Sequence, residues 1–245
     1  EMPEAYLQLL MQAKMDLVMK FAYENVSVHS KYRDLLQKID PEMMVSLLNK
    51  SSEYPQKLGL EVLSEKQEEL KRNESFVAKL LVCETEKARN WAKTAIENNT
   101  EYFLASTDFM MHLIMNSRKE SNEFINNLLQ SASLSEERQK TLLGKVIIEL
   151  LSMENSDNNN AVAESATKKL KITALDNFSE ISWEIVAQLL TSPLNNNRFL
   201  ASEILLSKSE KYSVKEIPVS IMELLLKNTN ESIRQNGISL LAQYP

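Results

Sequence analysis

Three arginines, Arg89, Arg198 and Arg234, each stand nine positions after the start of a Leu pair and three before a small residue, Ala92, Ala201 or Gly237. A guanidinium is a planar, permanently charged fork that grips phosphate, carboxylate or backbone carbonyls. Repeated in register, such forks make either a basic stripe for an acidic partner or a structural ladder bonding oxygens between neighbouring units. Gln56 and Asn122 occupy the same place in two further copies and interrupt any stripe, so the ladder is the expectation.

Other chemistry-bearing residues are sparse. Cys83 is the single cysteine, and His29 and His112 lie far apart, so neither a disulfide framework nor metal-ligand spacing exists. The chain has no glycine-rich phosphate loop, no His-Glu-x-x-His and no Ser/His/Asp arrangement on sharp turns. No catalytic, cofactor-binding or metal-binding residue is therefore expected, and the chain reads as a non-enzyme. Trp91 and Trp183 read as core rather than as stacking platforms, and Phe109 to Met115 as a buried helix carrying His112. Lys168-Lys169-Leu-Lys171, the one compact basic cluster in the repeated region, reads as a solvated face.

The elements that would position these residues are helices. The 245 residues contain only 3 Gly and 6 Pro, too few for a chain of tight β-turns, and are rich in good helix formers. Lys and Arg total 28 against 34 acids, a net charge of −6, so no general positive field gathers phosphates and nucleic acid is not an expected partner. No run approaches the roughly 20 apolar residues of a membrane span, and no signal-peptide core opens the chain, which points to a cytoplasmic protein. The start at Glu1 without Met and the end at Gln243-Tyr-Pro245 suggest a piece of a longer polypeptide.

A pattern recurs along the sequence: a Leu pair, then Arg or Gln, a small residue and two aliphatics. It is clear at 47–63 (Gln56, Gly59), 80–96 (Arg89, Ala92), 189–205 (Arg198, Ala201) and 225–241 (Arg234, Gly237), and looser from 113 and 150. Successive starts are 33, 33, 37, 39 and 36 residues apart. That period fits one hairpin of two helices, A and B, with short connections. The small residue of helix B lets helix A approach closely. Asp40-Pro41 reads as a cap and first residue of a helix, with further caps at Ser133 and Asn230, and Ser213 to Glu216 as a capping box opening the last A helix. Residues 154–160 read as the flexible loop, and 1–38 as an N-terminal cap or degenerate repeat with helices near 4–24 and 28–38.

The stretch Asn230-Glu-Ser-Ile-Arg234-Gln-Asn-Gly237-Ile-Ser-Leu-Leu241, with the period, resembles the HEAT-repeat and armadillo-like families. Ser192 and Asn228 stand near the place where those families usually carry Asp. The resemblance implies an all-α, right-handed α-solenoid of about six hairpins over 39–245, in units starting near 39, 74, 102, 135, 178 and 213. It implies a scaffold or regulatory segment holding a protein or peptide, or other domains of its own chain, on its B helices. Lys93, Phe199, Glu203 and Gln235 are the expected contact residues. HEAT-like DNA glycosylases form the alternative, which the acidic balance disfavours.

Overall fold

The computed structural model describes residues 3–243; Glu1-Met2 and the terminal Tyr244-Pro245 lie outside the described residues. Every regular element among the described residues is helical, and contacts divide the chain into two compact units, 1–105 and 106–245.

The first unit contains α1 (Pro3–Gln12), α2 (Asp16–Ser27), α3 (Tyr32–Lys38), α4 (Pro41–Leu48), α5 (Glu53–Leu70), α6 (Glu74–Leu80), α7 (Glu86–Glu97) and α8 (Thr100–Ala105). Helices α4 and α5 pair, as do α6 and α7, while α1 to α3 pack on α5. Asp40 caps α4 by accepting from the Met43 N–H at 2.8 Å, with Pro41 at the first helical position, as the sequence predicts. The helix expected over 4–24 is instead two helices that pack against each other. Folding back buries Leu7 and Leu10 of α1 beside Met19, Ala22 and Val26 of α2, which one straight rod would carry apart. A carboxylate fastens this segment down: Glu61 of α5 accepts from Tyr23 on one oxygen and Tyr32 on the other, both at 2.5 Å. Burial first, and then the bond to Glu61, push the Tyr23 phenol up to about 12, and the Tyr32 phenol is raised for the same reasons.

The second unit contains α9 (Thr107–Met115), α10 (Lys119–Ser131), α11 (Glu136–Ser152), α12 (Asp157–Thr173), a 3-10 turn (Leu175–Glu180), α13 (Trp183–Thr191), α14 (Asn195–Lys211), a second 3-10 turn (Val214–Glu216), α15 (Val219–Leu226) and α16 (Glu231–Leu241). Helices α13 and α14, and α15 and α16, form hairpins, and α10, α12, α14 and α16 pack in succession. Three local expectations change. Residues 157–160 are not loop: Ser156 accepts from the Asn159 N–H at 3.1 Å and starts α12 there, and Asn159 and Asn160 turn their amides back onto the Glu154 and Ser156 carbonyls. The cap expected at Ser133 is Ser135. Glu216 accepts from the Ser213 N–H, but Ser213 Oγ accepts from the Lys215 N–H rather than that of Glu216, and the pair closes only a 3-10 turn, because Pro218 lacks the N–H that a continuous helix needs and α15 begins after it.

Inside the hairpins, Gly59 faces Leu47 and Leu48, and Gly237 faces Leu225 and Leu226. A Cβ at Gly59 would lie 2.9 Å from Leu48 Cγ, a branch point that cannot swing aside, whereas one at Gly237 would lie 3.2 Å from Leu225 Cβ. Gly144, in α11, has nothing within 4 Å of its missing Cβ. Replacing a helical Gly by Ala gains up to about 1 kcal/mol, while overpacking costs about 1–3 kcal/mol. Urea midpoints should therefore rank the variants. Gly144→Ala stabilises by about 0.5–1 kcal/mol, Gly237→Ala is near neutral, and Gly59→Ala destabilises by about 1 kcal/mol. A stabilised Gly59→Ala would refute close packing as the reason for that glycine.

Candidate functional site

The polar residues at the repeated position reveal their task in the turns. Arg89 donates to the Cys83 and Glu84 carbonyls at 2.6 and 2.7 Å, and Arg234 to those of Asn228 and Thr229 at 2.7 and 2.8 Å. Gln56 donates to the Lys50 carbonyl at 2.6 Å. Each reaches back five or six residues to the turn of its own hairpin, so the bonds run within a unit rather than between units. The reason is reach: a side chain in the first turn of helix B lies directly above the carbonyls that end helix A.

Arg198 departs from this pattern. Asn197, one residue earlier and fully buried, donates instead to Ser192 Oγ at 3.0 Å and to the Leu150 carbonyl at 2.8 Å, tying the turn of its hairpin to the end of α11. Arg198 is thereby released: one Nη bonds Asn195 Oδ1 at 2.6 Å, and its Nε is buried without a partner.

It lines a groove of about 610 Å³ at the N-terminal ends of α12, α14 and α16. Phe199, half-buried, supplies the aromatic surface, and Asn155, Asn160, Asn195, Asn196 and Asn230 supply side-chain amides. Each of the five amides uses one end within the protein. Asn160 Nδ2 donates to Asn155 Oδ1, Asn196 Nδ2 to the Asn160 carbonyl, Asn195 Oδ1 accepts from Arg198, and Asn230 Oδ1 accepts from the Ser232 N–H. The other ends, two oxygens and three nitrogens, remain for an occupant. Charge nearly cancels, since Lys168 is paired with Glu164 at 2.6 Å and Asp157 stands against Arg198 in the same lining.

Further along α12 and α14 a second depression of about 450 Å³ holds Glu203, and the Lys171–Glu203 ion pair crosses between the helices beside it. Of the contact residues expected from sequence, Phe199 lies in the first groove and Glu203 in the second. Gln235 is exposed on α16 outside both, and Lys93 is half-buried on α7 in the first unit. Trp91 meets Phe76 edge-on at 6.1 Å and borders a separate recess with Arg72, and Trp183 carries the buried Lys208 ammonium 4.4 Å above its ring. The asparagines were hidden because runs such as Asn158 to Asn160 and Asn195 to Asn197 look like loop. Their helical register, which sends some to the groove and Asn197 to the core, exists only once the caps form.

The basic cluster also splits. Lys168 and Lys171 are ion-paired at the surface, but Lys169 is 2% exposed and donates to Ser165 Oγ at 2.9 Å and to the Asn116 carbonyl that ends α9. The solvated face expected for all three fails at this residue, because a lysine at that register faces α9 and α10 rather than water. Burial pushes the Lys169 ammonium down to about 8. No helix among the described residues is long and apolar enough to cross a membrane. Compared with protein-family models and with curated proteins, the chain matches none.

Lys169 makes folding pH-dependent with a definite sign. In the unfolded chain lysine titrates near 10.4, so between pH 8 and 10 the unfolded state holds a proton that the folded state has released. The stability of the native chain minus that of Lys169→Met should be flat below pH 8 and rise above it, by at most about 1.4 kcal/mol per pH unit. Urea titrations of both chains from pH 6 to about 10 would show it; a difference that falls with pH would mean the buried amine stays charged.

Proposed function

We propose that the chain is a non-catalytic scaffold, a HEAT-like α-solenoid segment that holds an extended polypeptide in the asparagine-lined groove of α12, α14 and α16. The solenoid reading is supported by hairpins whose second helices pack in succession and by the recurring contact of a Leu pair with a small residue. The polypeptide belongs to another protein or to other domains of its own protein, in a cytoplasmic setting.

The observation that carries the reading is the row of amides with one end unused. A peptide backbone offers alternating N–H donors and C=O acceptors, and a carboxamide carries both a donor and an acceptor, so the unused nitrogens suit its carbonyls and the unused oxygens its N–H groups. Each such bond contributes about 0.5–1.5 kcal/mol net, so several are needed, together with an apolar anchor at Phe199. A nucleic acid requires clustered unpaired cations, whereas here Lys168 is bound to Glu164 and Arg198 shares the lining with Asp157.

Selection of random twelve-residue peptides displayed on phage should yield binders to the 245-residue chain. Phe199→Ala and Asn195→Ala should each weaken them about tenfold, equivalent to about 1.4 kcal/mol, with unchanged melting temperature. Selected peptides whose affinity ignores both substitutions would move the site elsewhere, and retention of duplex DNA at low salt without peptide binding would replace the proposal.

A further inference from the structure

Helices α12 and α14 run side by side in the same direction. At their starts the Asn196 amide donates to the Asn160 carbonyl at 2.9 Å, and farther on Lys171 of α12 bonds Glu203 of α14. On α14, Phe199 borders the asparagine groove, while Glu203, Leu206 and Glu210 border the second depression. Steps of four, three and four residues set all four on one face of the helix. Opposite them, Glu164, Lys168, Lys171 and, just past the end of α12, Leu175 keep the same spacing and divide in the same way. Two cavities bounded by one face of each helix are the ends of a single furrow. At about 1.5 Å per residue it runs some 22 Å from Asn195 to Glu210, which an extended chain covers in about seven residues.

The two ends differ electrically. The groove lies at helix N-termini, where the macrodipole is positive and a cation is unwelcome. The second depression lies at the C-terminal ends of α12 and α14, where the last carbonyls gather negative charge. Most of the amines there are committed. Lys171 is bound to Glu203, the Lys211 ammonium lies 3.9 Å from Glu180, and the buried Lys208 donates to the Ser179 carbonyl beside the Trp183 ring. Asp176 and Glu210 line the same depression, are exposed and have no ion-pair partner among the described residues. Leu175, 44% exposed, and the half-buried Leu206 give the depression an apolar wall beside these carboxylates. A lysine or arginine matches that combination, its methylene stem lying on the leucines and its charged head reaching the acids.

We propose that the polypeptide held by the asparagine groove continues along this furrow and seats a lysine or arginine in the second depression. The inference rests on the peptide reading of the groove and names the class of partner. Leu206 and Glu210 follow Phe199 by about 10 and 16 Å along α14. The segment therefore carries an apolar residue at Phe199 and a basic residue about three to five positions from it.

Random twelve-residue peptides selected on the native chain should carry Lys or Arg at that spacing from an apolar residue, in one chain direction or the other. Glu210→Lys, a change to an exposed side chain, should weaken them about tenfold with an unchanged melting temperature, and Glu210→Gln, which keeps the shape, about threefold. Selected peptides whose basic residue is replaced by Glu should bind Glu210→Lys more tightly than they bind the native chain. Binders that depend on Phe199 and Asn195 yet lack a basic residue at that spacing, or ignore both changes at Glu210, overturn the proposal and leave the peptide groove intact. An absence of binders, or binders indifferent to Phe199→Ala and Asn195→Ala, overturns both.

Discussion

The constraint on which this structure turns is the unpaired carbonyl at the end of a helix. Each helix leaves its last carbonyls without an intrahelical donor, and a left-handed glycine just beyond the end is a common remedy. This chain has 3 glycines, and no described residue adopts a positive φ. Side chains supply the donors instead. Arg89, Arg234 and Gln56 serve their own hairpin turns, Lys66 bonds the Gln37 and Ile39 carbonyls after α3, Lys169 bonds that of Asn116, and Lys208 bonds that of Ser179. A helix end closed by glycine is finished locally. One closed by a neighbouring side chain is finished only when the neighbour is in place, so turn formation and packing become one event.

That coupling explains the site. Where Asn197 holds the turn and reaches the preceding hairpin, the arginine beside it is no longer needed and its guanidinium passes to the groove. The groove is therefore a local variation on a repeated structural device, not a separate insertion. Its walls are the first turns of helices whose spacing is governed by close contacts between the helices of each hairpin, most plainly at Gly237 against Leu225. Buried lysines belong to the same economy: Lys169 accepts desolvation because a carbonyl at the end of α9 and Ser165 receive its protons.

Legibility in the sequence followed the range of the interaction. Caps such as Asp40 and Asn230 could be read because donor and acceptor are two or three residues apart. The register of the Leu pairs could be read because helical periodicity is local. The break of the first helix at residues 13–15 could not be read, since no Gly or Pro marks it and the reward for bending is burial against α2. Residues 157–160 misled for a different reason: asparagine favours turns and caps equally, and only Ser156 in extended conformation decided between them.

By itself the sequence determined an all-helical chain, the hairpin period and the positions where side chains had to be small, because each rests on residues within a turn or two of one another. Tertiary structure alone decided which polar side chains face water, turn or core. Lys168 and Lys169 are adjacent and chemically alike, yet one sits in the groove and the other beneath α9. Rotation of about 100° between neighbours on a helix separates their surroundings completely, and what lies on each side comes from segments some fifty residues away.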